Sequence, residues 1–84
     1  MRTDYITFRS VTLAQRAERL LKSHSIDCLL QRTPRWMEER GCGYCLRVRP
    51  TEVSESLKYL KEAGILFSKV YTRRPNGAVE EVSQ

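Results

Sequence analysis

Apolar and polar side chains alternate at the start of the chain. Within Tyr5-Ile6-Thr7-Phe8-Arg9 the apolar Ile6 and Phe8 take alternate positions, the period of a strand with one buried face. The period then changes. Leu13, Ala14, Ala17, Leu20 and Leu21 form a helical stripe with Arg16, Glu18, Arg19 and Lys22 opposite, and Thr12 followed by Gln15 has the form of a capping box. A helix is predicted over about residues 12 to 23. After the connection Ser23-His24-Ser25, the run Ile26-Asp27-Cys28-Leu29-Leu30-Gln31 reads as a second strand, closed by Thr33-Pro34.

Pro34 to Gly43 has no clean period, and its proline and paired glycines mark a loop longer than most hairpin connections. Loops of that length are more often functional than idle. Alternation resumes from Tyr44 to Arg49, with Tyr44, Leu46 and Val48 on one face and Cys45, Arg47 and Arg49 on the other. Pro50 ends this strand. Thr51-Glu52-Val53-Ser54-Glu55 opens a second helix with a cap and early acids, its stripe formed by Val53, Leu57, Leu60 and Ala63 and its end by Gly64. Leu66 to Thr72 predicts a fourth strand, and the polar run from Pro75 to Gln84 a frayed tail.

The order β-α-β-β-α-β predicts an α+β fold, the ferredoxin-like two-layer sandwich with two helices on one face of a four-stranded antiparallel sheet. Residues 1–74 are then the single domain and 75–84 a flexible C-terminal tail. Each β-α-β half is a right-handed crossover. That topology gathers the turn after the first strand, the loop between the second and third, and the entry to the fourth at one end of the sheet. The start of the first helix, from Ser10 to Leu13, is therefore expected near Gly41-Cys42-Gly43.

Composition changes this picture little: 84 residues with 40% hydrophobic and 30% charged side chains fit one self-sufficient core. No run approaches the roughly 18 apolar residues of a membrane span, and no apolar signal segment precedes Tyr5. A cytoplasmic location is expected, where Cys28, Cys42 and Cys45 stay reduced. The net charge of +5 suits an anionic partner, but the basic residues are scattered among acids, which argues against specific nucleic-acid binding.

The candidate chemistry concentrates in Arg40-Gly41-Cys42-Gly43-Tyr44-Cys45. A thiol near a helix N-terminus meets unpaired N–H groups and the positive end of a dipole, which favour thiolate, and Arg35 and Arg40 add positive charge. Gly41 and Gly43 remove bulk on either side of the sulfur. Cys42 is thus a candidate nucleophile, against the plain alternative of a small apolar residue in a turn. Cys42-Gly43-Tyr44-Cys45 is also a C-x-x-C motif, for which a redox dithiol or half a metal site are the usual readings. A zinc ion would need two more ligands from Cys28 and His24, and His24 falls at the opposite end of the expected fold. No metal or other cofactor is expected. His24 reads as a solvated helix-end cation, Cys28 as a buried strand residue and Trp36 as a cover over the loop or a staple within it. No nucleophile-base-acid set is present, so independent turnover is not expected. Tyr5, Thr7, Arg47, Arg49, Phe67, Lys69 and Tyr71 resemble an RNA-recognition face in composition, without an RNP sequence.

Ile6-Thr7-Phe8-Arg9-Ser10, Ala14, Ala17-Glu18, Pro34-Arg35, Gly41-Cys42-Gly43-Tyr44-Cys45-Leu46-Arg47-Val48 and Ala63-Gly64-Ile65 together resemble the selenium/sulfur carrier protein-like family over residues 5 to about 72. The most specific part is Pro34-Arg35 with Cys42-Gly43. The chain departs from the pattern at Glu38-Glu39-Arg40-Gly41, where serines are common, and at Cys45, where a small residue such as alanine is common. The resemblance implies that Cys42 accepts a sulfur or selenium atom as a persulfide or selenopersulfide and passes it on. Cys45 would be a candidate resolving thiol, and Pro34, Arg35, Arg40, Gly41, Gly43 and Ser10 would surround or dock the site. The implied partners are a chalcogen donor such as a cysteine desulfurase and an acceptor enzyme. A thiol-disulfide module using Cys42 and Cys45, and an RNA- or protein-interaction domain, are the rival functions.

Overall fold

A computed structural model describes residues 2–33 and 43–82. The chain forms β1 (Thr3–Phe8), α1 (Val11–Ser23), β2 (Cys28–Arg32), β3 (Tyr44–Val48), a single 3-10 turn (Pro50–Glu52), α2 (Val53–Glu62), β4 (Val70–Arg73) and β5 (Val79–Val82). The strands make one antiparallel sheet in the order β2-β3-β1-β4-β5. The α+β class and two helices agree with the sequence reading. The sheet has five strands rather than four, because residues 79–82, expected in a frayed tail, pair with β4 from Val70↔Val82 to Arg73↔Val79.

Strand alternation sorts the residues into two clusters. Ile6, Phe8, Leu46, Val48, Cys28 and Val70 meet Ala14, Ala17 and Leu21 of α1 and Val53 and Leu60 of α2 in the main core. Full burial of a side chain such as Phe8 or Leu21 contributes roughly 1.5–3 kcal/mol. On the opposite face Tyr5, Cys45 and Tyr71 form a smaller cluster with Val79 against it.

Both helices end in the same manner. Ile26 N–H reaches Leu21 O and Ser25 N–H reaches Lys22 O, while Ile65 N–H reaches Leu60 O and Gly64 N–H reaches Lys61 O. This pattern needs a left-handed residue after the cap. Gly64 (φ 72) supplies it at little cost, and Ser25 (φ 62) does so without a glycine's freedom.

The helix starts differ from the expected ones. Ser10, not Thr12, caps α1, its Oγ accepting from Leu13 N–H at 3.2 Å. α2 has no side-chain cap. Pro50 sets a 3-10 turn ahead of it, where the proline's fixed φ and missing N–H cost nothing.

The fourth strand also starts later than Leu66. Thr7 O accepts from Ser68 N–H at 2.7 Å, while Thr7 N–H donates to Lys69 O at 2.8 Å. The Thr7 hydroxyl donates to Lys69 O and accepts from Lys69 N–H. Two residues thus face one, as in a β-bulge, and regular pairing begins only at Val70.

Candidate functional site

The β2–β3 connection is the place the sequence singles out. Pro34, Arg35, Arg40, Gly41 and Cys42 lie outside the described residues, as does Trp36. The two ends of the connection are described. Thr33 N–H donates to Gly43 O at 3.1 Å, extending the β2–β3 ladder one step beyond Arg32↔Tyr44. A methyl group at Gly43 would meet no atom within 4 Å, so this glycine leaves open space beside the chain directly after Cys42.

Phe8 pairs with Tyr44, which brings the β1–α1 turn to the same end of the sheet as Gly43. Ser10 stands two residues beyond Phe8 and is committed to capping α1. No acidic residue occupies the first turn of that helix, so its exposed N–H groups keep their positive potential. Arg32 adds charge nearby, its guanidinium lying over the Tyr44 ring at 5.9 Å from the centroid. The sequence pattern places the strand end at Gln31 and so leaves Arg32 out, whereas the hairpin register puts it opposite Tyr44, the residue that follows Gly43.

Cys45 is different in kind. It faces Thr7 in β1 and Gln31 in β2 and has no exposed surface. Burial pushes its thiol up to about 11, while the side chains of Thr33 and Gln31 act in the other direction. The Thr33 hydroxyl is buried without a hydrogen-bond partner, so it is a polar neighbour of the sulfur rather than a bonded one. A thiol that is buried and protonated at neutral pH is a poor nucleophile.

The other candidate ligands do not gather around it. Cys28 projects to the helix side, packed in the main core, with its thiol also pushed up, first by burial and then by Glu18. His24 caps α1 and stacks on Tyr59 with centroids 3.8 Å apart. Among the described residues no three of histidine, cysteine, aspartate and glutamate come together as a metal site. No helix among them is long and apolar enough to cross a membrane.

The face expected to resemble an RNA surface is largely closed. Tyr5 and Tyr71 are 6% and 8% exposed, Phe67 packs against the main core instead, and Arg47 remains exposed. Buried rings offer no platform for stacking bases.

A family model described as Putative Se/S carrier protein-like matches residues 4–72. Neither the curated proteins nor the solved structures give a match.

Proposed function

Because the chain belongs to the Se/S carrier protein-like family, we propose that it carries a single chalcogen atom on Cys42 and hands it to a partner enzyme. The observation that carries this reading is the complete burial of Cys45, with its thiol pushed up to about 11. A persulfide needs protection from neighbouring thiols. Attack by a second cysteine on the inner sulfur of Cys42–S–SH would form a Cys42–Cys45 disulfide and release hydrogen sulfide, emptying the carrier. Burial of Cys45 suppresses that loss and equally disfavours a dithiol redox module.

Loading needs no cofactor. The Cys42 thiolate attacks the terminal sulfur of a donor persulfide, the donor's S–S bond breaks, and the donor cysteine leaves as thiolate. Delivery to the acceptor enzyme repeats the exchange in the other direction. A cysteine desulfurase is a donor of the right chemistry, and the net charge of +5 suits acidic partner surfaces. Arg35 and Arg40 would stabilise the thiolate or dock the donor, with Pro34, Gly41 and Gly43 shaping the approach. The positive end of α1 and the guanidinium of Arg32 support a thiolate at this end of the sheet. The order β2-β3-β1-β4 supports reading the first four strands as ferredoxin-like, with β5 added at the β4 edge. We assign the carrier to the cytoplasm, where the thiol stays reduced.

The test is to incubate the protein with a cysteine desulfurase and cysteine, or with a selenium donor, followed by intact-mass measurement and peptide mapping. One added chalcogen atom on the Cys42 peptide, lost in Cys42→Ser, is expected. No adduct, or one that survives Cys42→Ser, would sink the carrier reading. Loss of two hydrogens linking Cys42 to Cys45 would replace it with the redox module.

A further inference from the structure

At the end of the sheet away from Gly43, where β2 begins and β3 ends, the surface folds into a cleft of about 460 Å³ whose lining includes Arg2, Arg47, Arg49 and Asp27. Three guanidinium groups against one carboxylate give that lining a net positive charge. The existing commitments of Arg47 and Arg49 are weak. Arg49 meets Asp27 at 3.5 Å, with both side chains more than two thirds exposed at 69% and 76%, a pairing that contributes little in water. Arg2 reaches Asp4 at 3.4 Å. Arg47 makes no ion pair among the described residues.

We propose that this cleft binds a phosphate monoester, its phosphate held by Arg47 and Arg49 and its body lying against Leu29 and Pro50. Arginine presents several N–H donors in a rigid fork that matches phosphate oxygens bidentately. The volume exceeds what a bare phosphate fills and falls in the range of small-ligand sites. Leu29, 47% exposed, and Pro50 form part of the wall, an apolar surface on which a sugar or base gains contact. A polynucleotide fits less well, because the aromatics of the neighbouring face are buried and no stacking platform continues from the cleft.

The site is separate from the carrier chemistry. From Arg32↔Tyr44 to Cys28↔Val48 the hairpin runs four residues, about 13 Å along the strands. Either reading can fail without the other.

Adenosine 5′-monophosphate is the probe, titrated into the full chain by calorimetry, with adenosine, inorganic phosphate, a glutamate decapeptide and a short oligonucleotide as comparisons. Saturable one-to-one binding of the monophosphate is expected, displaced by phosphate, absent with adenosine and weakened by added salt. The double variant Arg47→Gln/Arg49→Gln should lose about tenfold or more in affinity, with its circular dichroism unchanged. Arg16→Gln, on the exposed side of α1, should bind as wild type. No saturable binding at millimolar monophosphate, equal binding of adenosine, or unchanged affinity in the folded double variant would overturn the proposal. So would binding confined to the peptide or the oligonucleotide.

Discussion

Thr7 and Cys45 face each other across the β1–β3 ladder, on the sheet face turned away from the helices, and both are fully buried. The Thr7 hydroxyl is engaged by both backbone groups of Lys69. It is therefore not free to stabilise a thiolate at Cys45. The Cys45 thiol ordinarily titrates at 9.0 and is held at about 11 in the folded protein. Between these values the unfolded chain has released a proton that the native state retains, so the unfolded state binds fewer protons and stability falls as pH rises. The contribution is fully present below pH 9.0 and lost as pH passes about 11. Urea unfolding at several pH values across that window should show wild type losing more stability than Cys45→Ala. Equal slopes would mean that Cys45 is not held protonated. Cys28, also raised, is present in both proteins and cancels in the comparison.

A second buried polar contact lies on the helix side of the sheet. Thr72 Oγ1 donates to Asp4 Oδ1 at 2.8 Å, with Asp4 only 2% exposed. The other partner of the carboxylate, Arg2, is half exposed and 3.4 Å away. Thr72→Val keeps the shape and removes the donor, leaving a buried carboxylate short of a hydrogen bond. A loss of about 1–3 kcal/mol in urea unfolding is expected. Asp4→Asn should cost less than Asp4→Ala, because the amide oxygen still accepts from Thr72. If Thr72→Val is neutral, the pair does not hold β1 to β4.

The elements with strong periodicity were legible from sequence. The alternation of Tyr44 to Val48 assigns both faces of β3 and separates Cys45 from Leu46, and the stripe of Ala14, Ala17 and Leu21 locates α1. Three things were not legible. The delay of β4 to Val70 depends on the Thr7 hydroxyl bonding twice to Lys69, 62 residues later, a tertiary contact that no local pattern encodes. The closing of the Tyr5–Cys45–Tyr71 face was hidden because alternation tells which residues share a face, not whether that face is covered. β5 escapes the pattern because Val79-Glu80-Glu81-Val82 is polar at its centre, as an edge strand tends to be. Its signal was present in Pro75-Asn76-Gly77, a turn sequence read as fraying. At the candidate site, the ends of the β2–β3 connection came together as topology required, while Cys42 itself lies outside the described residues.

β5 should prove to be part of the folded unit rather than an appendage. Its turn is closed by Gly77 N–H to Arg74 O and Arg74 N–H to Ala78 O, with Gly77 at φ 89. Asn76 Oδ1 accepts from Ala78 N–H at 3.0 Å. The strand then sends one valine to each face: Val79 packs against the Tyr5, Cys45 and Tyr71 cluster, and Val82 against the main core. Lys69 and Arg74 bind Glu81 and Glu80 across the strands. These exposed pairs guide register more than they add stability, so the apolar contacts carry the prediction. Truncation after Arg74 removes both valines and leaves β4 as an unprotected edge. Set against the entropy of ordering the segment, a net loss of about 1–3 kcal/mol is expected in urea unfolding. The same truncation uncovers part of the cluster around Cys45, so this thiol should react faster with a thiol-specific alkylating reagent than in the full chain. Unchanged stability together with unchanged Cys45 reactivity would show that the domain ends at β4.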